Sequence, residues 1–258
     1  MRDVPALRPV RSSLTTLFLT CLTAVPVAAQ TGAPALSPME TAVACAAPLT
    51  TDARPSHALR IVGAQDTTSR GLYGPRDLLV VSGGTGAGLQ LGQQFFVRRA
   101  NHFGAAADRR WQGARTLGWI RVVAVNDSTA ITMIDHVCDA ISQGDYLEPF
   151  TAPVVPADAD RDVSSGDPDF TAIGRVMAGI EDRQTAGAGD LVLIDRGTDQ
   201  GVKAGARYAV FRDVGSAGMP LAAIGEAVVL SAGKSMALTR ITRARDAVVS
   251  GDYVAPRR

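Results

Sequence analysis

From about residue 57 onward the chain alternates short apolar runs with clusters of Gly, Asp and Ser. The clusters recur at roughly ten-residue spacing, which is how a small β-barrel or sandwich is written in sequence. Toward the C-terminus, residues 191–194, 207–212, 223–230 and 236–241 read as strands, and Asp252-Tyr253-Val254 closes the set. No stretch among them keeps a 3.6-residue apolar period, so strands rather than helices are expected.

The same pattern occurs twice. The run Asp77-Leu78-Leu79-Val80-Val81, with Gly84-Thr85-Gly86-Ala87-Gly88 behind it, matches Asp190-Leu191-Val192-Leu193-Ile194 with Gly197-Thr198-Asp199-Gln200-Gly201. Without a gap, Gly92 then falls on Gly205, Phe95 on Tyr208, Val97 on Val210 and Arg99 on Arg212. The first copy carries six extra residues, after which Gly118 falls on Gly225, Val122 on Val229, Thr132 on Thr239 and Ile134 on Ile241. Asp139-Ala140 falls on Asp246-Ala247, and Gly144-Asp145-Tyr146 on Gly251-Asp252-Tyr253. Upstream, Arg60-Ile61-Val62 resembles Arg175-Val176-Met177. Repetition of this kind sets the architecture before any motif is weighed. The expected fold is all-β, with two tandem small β-barrel or sandwich domains at 57–150 and 172–258. A Pro- and Asp-rich stretch at 151–171 reads as an exposed linker or long loop.

The N-terminus has a different character. Arg2, Arg8 and Arg11 precede a short apolar stretch, and Val27-Ala28-Ala29 supplies small residues for cleavage after Ala29. Residues 1–29 therefore read as a secretory signal peptide, placing the mature protein in the periplasm or outside the cell. The stretch is too short to span a bilayer, so no transmembrane segment is expected in the mature chain. Residues 30–56 are Ala-, Pro- and Thr-rich and are expected to be partly ordered. In an oxidising compartment the two remaining cysteines, Cys45 and Cys138, can pair or stay free; sequence gives no distance between them.

Charge narrows the partners. The whole chain has 26 basic and 25 acidic side chains, and this balance argues against a nucleic-acid binder, which needs a cationic excess. The glycines at 84, 86 and 88 follow an apolar run, as in a phosphate-binding loop, but a strand rather than a helix comes next. They are read as turn glycines. Asp139, Asp145, Asp246 and Asp252 flank turns and are read as acceptors for main-chain N–H groups. His57, His102 and His136 form no metal-ligand spacing, and no nucleophile motif occurs, so no catalytic residue, cofactor or metal is assigned.

One segment invites a functional reading. The six-residue excess lies in 101–115, which with Arg98 and Arg99 just before it carries His102, Phe103, Arg109, Arg110, Trp111 and Arg115. Aromatic and Arg side chains together are what protein-interaction hot spots use. The equivalent stretch of the second copy has no aromatics. The alternative for this loop is that Trp111 folds back onto its own barrel.

The pattern Gly-Thr-x-x-Gly-Val-x-x-Gly at 197–205, with the closing Ser250-Gly251-Asp252-Tyr253-Val254, resembles the C-terminal β-domain of the flagellar assembly protein T, a module also found in envelope proteins with LysM domains. Ile224-Gly225-Glu226-Ala227-Val228 is more weakly similar to the β-domains of the rod-shape protein MreC. The resemblance covers both repeats and implies an envelope protein without catalytic residues. The resulting expectation is a secreted or periplasmic, non-enzymatic binding or assembly module with a protein or glycan partner. The alternative is an enzyme or small-ligand-binding protein whose site lies in the cleft between the repeats.

Overall fold

The computed structural model describes residues 35–46, 59–68, 70–103, 111–163, 165–179, 183–215 and 219–258, except the side chains of 101–103, 111–113, 178 and 179. Residues 1–29, expected from sequence to be a signal peptide, lie outside the described residues. The chain divides into Met1–Ala35 and Leu36–Arg258, and every element below belongs to the second unit.

The first repeat forms β1 (Ile61–Ala64), β2 (Leu78–Ser82), β3 (Gln94–Phe103), β4 (Trp111–Val125), β5 (Thr129–Val137) and β6 (Tyr146–Pro149). They make one antiparallel sheet in the order β1-β2-β5-β4-β3-β6. Its two edges meet, because Arg60 bridges Tyr146. Around that seam the Ile61 N–H donates to Asp145 O at 3.0 Å and the Gly144 N–H to Ile61 O at 2.8 Å.

The second repeat forms β7 (Gly174–Gly179), β8 (Thr185–Ala186), β9 (Leu191–Ile194), β10 (Arg207–Arg212), β11 (Ala222–Ala232), β12 (Ala237–Ala244), β13 (Val248–Val249) and β14 (Tyr253–Pro256). Six of these close into a barrel, β10-β11-β12-β9-β7-β14. Strand for strand this is the order of the first repeat. Its seam repeats as well, with the Val176 N–H on Asp252 O and the Gly251 N–H on Val176 O, both 2.8 Å. The small β8–β13 ladder has its twin in the bridge between Tyr73 and Ile141. The fold is all-β, built from two copies of one unit.

Period-two alternation fills each interior. Along β5, Ala130, Thr132 and Ile134 point inward, joined by Leu79, Val81, Val97, Ile120 and Val122. The second interior holds Val192, Ile194, Val210, Val229, Ala237 and Ile241 at the corresponding places. The buried hydroxyl of Thr239 donates to Val192 O at 3.1 Å, and Thr132 does the same to Leu79 O at 3.4 Å. A buried hydroxyl so paired avoids its desolvation penalty.

Outside both interiors lies a further layer that the sequence reading did not foresee. Within the stretch expected to be partly ordered, Pro38–Cys45 forms α1, the only α-helix among the described residues. Its start is fixed by a capping box: Ser37 Oγ accepts the Glu40 N–H and the Glu40 carboxylate accepts the Ser37 N–H. One side of α1 places Ala44 and Cys45 against Phe96, Trp119 and Phe150 on the outside of the first barrel. The other side places Met39, Val43 and the following Ala46 against Leu191, Leu193, Val228, Leu230 and Leu238 on the outside of the second. The helix is a wedge that gives two outward-facing apolar surfaces somewhere to go.

The stretch 151–171, expected to be an exposed linker or long loop, holds no strand among its described residues and ends in the start of a short 3-10 turn at Phe170–Ala172, but it is not simply exposed. Ala159 is buried against Val228 and Leu230. Arg207 donates to Asp158 O and Arg161 O at 2.7 and 2.6 Å, and Arg240 to Ala159 O at 3.2 Å. Guanidinium groups of the barrel hold the linker by its carbonyls. No helix among the described residues is long and apolar enough to cross a membrane.

Candidate functional site

The six-residue excess of the first repeat does not form a loop over 101–115. It lengthens a hairpin: β3 and β4 pair row by row from Gln94–Arg121 out to Phe103–Trp111. Adding matched residues to both strands continues a ladder whose hydrogen bonds are already in register, which is why strands replace the expected loop. β3 stops pairing with β6 at Arg98, and β4 pairs with β5 only from Gly118 onward. Beyond those points, among the described residues, neither outer edge of the β3–β4 arm belongs to a further ladder, although Leu117 O still accepts the Cys138 and Asp139 N–H groups at 2.8 and 3.1 Å. Its twin, β10–β11, ends at Arg212 and Ala222.

The base of the arm is anchored by the three candidate arginines whose side chains are described. Arg98 is a correction to the sequence reading, because it is buried rather than presented to a partner. Its Nε donates to Glu148 at 3.2 Å, its guanidinium lies 4.2 Å from the Phe96 ring centroid, and Nη1 donates to Thr116 Oγ1. Thr116 in turn donates to Ala46 O at 2.6 Å, so Arg98 helps hold the end of α1. Burial pulls its guanidinium below the usual arginine range, and Glu148 opposes that shift.

Arg99 is a latch. Its Nε and Nη2 each donate to Asp145 at 2.8 Å, and Nη2 also reaches Ala140 O and Ser142 Oγ. Asp145 accepts the Ser142 N–H at 2.8 Å as well. In the twin, Arg212 holds Asp252 at 2.9 and 2.7 Å while Asp252 accepts the Val249 N–H at 2.8 Å. The bonded aspartates raise both arginines above their usual value. Arg115 donates to Asp139 at 2.8 Å. Burial pushes the Asp139 carboxyl up, but the Ala140 N–H and Arg115 outweigh it and leave that carboxyl below the usual range. Of the remaining candidates, Arg109 and Arg110 lie outside the described residues. For His102, Phe103 and Trp111 only the backbone is described, at the outer rows of the arm.

The glycine-rich loop is a structural clamp. The N–H groups of Thr85 and Gly86 donate to Asn126 O and Asp127 O, and those of Ala87 and Gly88 to carbonyls within the turn. Thr198 and Asp199 repeat this against Gly233 O and Lys234 O. Donors so engaged have no N–H left for a phosphate. Gly84 is needed because a Cβ there would lie 1.9 Å from Asn126 O, and Gly197 because one would lie 2.3 Å from Lys234 O.

The chain matches no protein-family model and no curated protein.

A second cluster settles the pairing that the sequence left open and adds His136 to it. Cys45 and Cys138 form a disulfide, with their Cα atoms 5.5 Å apart. His136 stands beside it and stacks on Trp119, ring centroids 4.4 Å apart. The donor atoms of the two cysteines and His136 lie within 4.8 Å of one another, near enough to share an ion. With both sulfurs bonded to each other only the imidazole remains as a ligand, so the cluster works as a covalent pin for α1. His136 lies near the end of β5 and Cys138 just past it; the sequence offered Cys45 as a partner for Cys138 but gave no sign that His136 would stand beside the pair.

Proposed function

We propose that this protein is a secreted or periplasmic, non-enzymatic binding or assembly module of the bacterial envelope, related in each barrel to the C-terminal domain of the flagellar assembly protein T. The observation that carries the reading is the β3–β4 arm. Strand edges outside a ladder carry main-chain donors and acceptors, and an extended segment of a partner can add to them. The repeat supplies an internal control: β10–β11 folds the same barrel without the extension. The arm is therefore surplus to folding, and its composition, with Phe103, Arg109, Arg110 and Trp111, suits an interface hot spot. Balanced charge favours a protein or glycan over nucleic acid.

The rival reading needs titratable groups converging from both repeats on a cleft. What the described residues place between the repeats is α1, with Met39, Val43, Ala44 and Ala46 as its contacts, which supports a binding module instead. The test is cross-linking capture from intact cells with the tagged mature protein and with the Arg110→Ala, Trp111→Ala pair. A specific envelope partner captured by the first and lost by the second, at equal melting temperature, is expected. Equal capture by both, or a fall in stability that returns Trp111 to the core, would overturn the reading.

A further inference from the structure

The two barrels are copies, yet their outer faces are not treated alike. On the second barrel, Ala178 pairs Leu193, Leu193 pairs Leu238, and Leu238 pairs Ser231 next to the bulged Leu230. This row is the face that α1 and the linker cover, and Leu193, Leu230 and Leu238 are each 1% exposed. On the first barrel the same row reads Gly63, Val80, Ile131 and Ala124, with Val62 and Val123 at the matching bulges. No described element covers it: Val62, Val123 and Leu78 are 43%, 41% and 38% exposed. The run at 78–81 is apolar at every position, as in strands buried on both faces. Its twin at 191–194 has that second cover.

We infer that the Val62, Leu78, Val80, Val123 and Ile131 face of the first barrel is a docking site for an amphipathic helix of a partner protein, seated as α1 is seated on the second barrel. The expected helix carries a medium apolar residue, another four positions on and a small one three further, the spacing of Met39, Val43 and Ala46.

A second copy of this chain does not fit. The junction between the barrels is head-to-tail, with α1 held between the Phe96 and Trp119 side of one barrel and the leucine face of the next. Such a junction propagates only if each unit ends in the same surface. The second barrel ends differently: Ala209 and Glu226 stand where the first has Phe96 and Trp119. Glu226 is buried there, bonded to Arg257 and Arg243. Five partly exposed side chains also fall well short of the roughly 800 Å² per partner of a stable dimer, but they match the footprint of a two-turn helix.

The proposal is independent of the arm and is tested on the full mature protein. The probe is a hydrocarbon-stapled, fluorescein-labelled peptide of residues 36–46 carrying Cys45→Ser, followed by anisotropy. Saturable binding is expected, weakened at least tenfold by Leu78→Glu and by Val123→Glu, both exposed positions where melting temperature should hold. If either variant melts early, photo-crosslinking from p-benzoylphenylalanine at Val62 to the peptide decides in its place. Absence of saturable binding, or binding indifferent to these sites, would overturn the inference. So would a dimer of the protein that dissociates in the same variants.

Discussion

Replacing Asp145 by Ala should loosen the first barrel by an amount the latch geometry sets. The carboxylate is 4% exposed and accepts three hydrogen bonds at 2.8 Å, two from Arg99 and one from the Ser142 N–H. Breaking a fully buried ion pair costs about 3–5 kcal/mol, because the surviving charge is stranded. Arg99 is 42% exposed on its side chain and can return to water, which lowers the figure to about 2 kcal/mol, much of it the abandoned N–H. Both tryptophans lie in the first repeat, so fluorescence in a urea titration reports that barrel together with the α1 contact that Trp119 makes. With a urea slope of about 2 kcal/mol per M, the midpoint should fall by about 1 M. Asp252→Ala should leave the fluorescence transition nearly in place and move the far-UV circular dichroism instead. A fluorescence midpoint that stays within about 0.2 M of wild type would refute the latch argument.

Three further outcomes are expected. Gly84→Ala should cost about 3 kcal/mol or more by driving a Cβ into Asn126 O, whereas Gly88→Ala meets open space and should cost only about 1 kcal/mol for its positive φ; equal urea midpoints for the two would contradict the clamp. Cys138→Ser removes a cross-link spanning 93 residues, worth up to about 4.7 kcal/mol in the chain-entropy model, and hydrogen exchange at α1 should rise far more than within the barrels. The Glu40 carboxyl is held below its ordinary 4.5 by the Ser37 hydroxyl and then the Ser37 N–H. That stabilisation is present above the ordinary value and is lost as pH falls through the lowered one, so α1 amides should lose protection there in wild type but not in Glu40→Gln.

Much of the fold was legible because repetition and period-two patterning both act locally along the chain. Strand positions could be read twice, and the turn aspartates 139, 145, 246 and 252 follow from main-chain donors that any tight turn leaves over. What escaped the sequence depends on contacts distant along the chain. α1 divides its apolar side chains between two barrels, so Met39, Val43, Ala44 and Cys45 form no single stripe, although Ser37 and Glu40 do spell a capping box. Arg98 reads as an exposed cation until Glu148, Thr116 and Phe96 are placed around it. The uninterrupted apolar runs at 78–81 and 191–194 were read only as strands, and the layer that covers the second of them came from α1 and the linker, far away in sequence.

The β3–β4 arm is proposed to serve binding and not folding. This is tested most directly by deleting the six surplus residues, so that the hairpin matches β10–β11, and measuring melting temperature and partner capture on the same protein. An unchanged melting temperature with capture lost is expected. A shortened protein that melts earlier, or that still captures its partner, would contradict it.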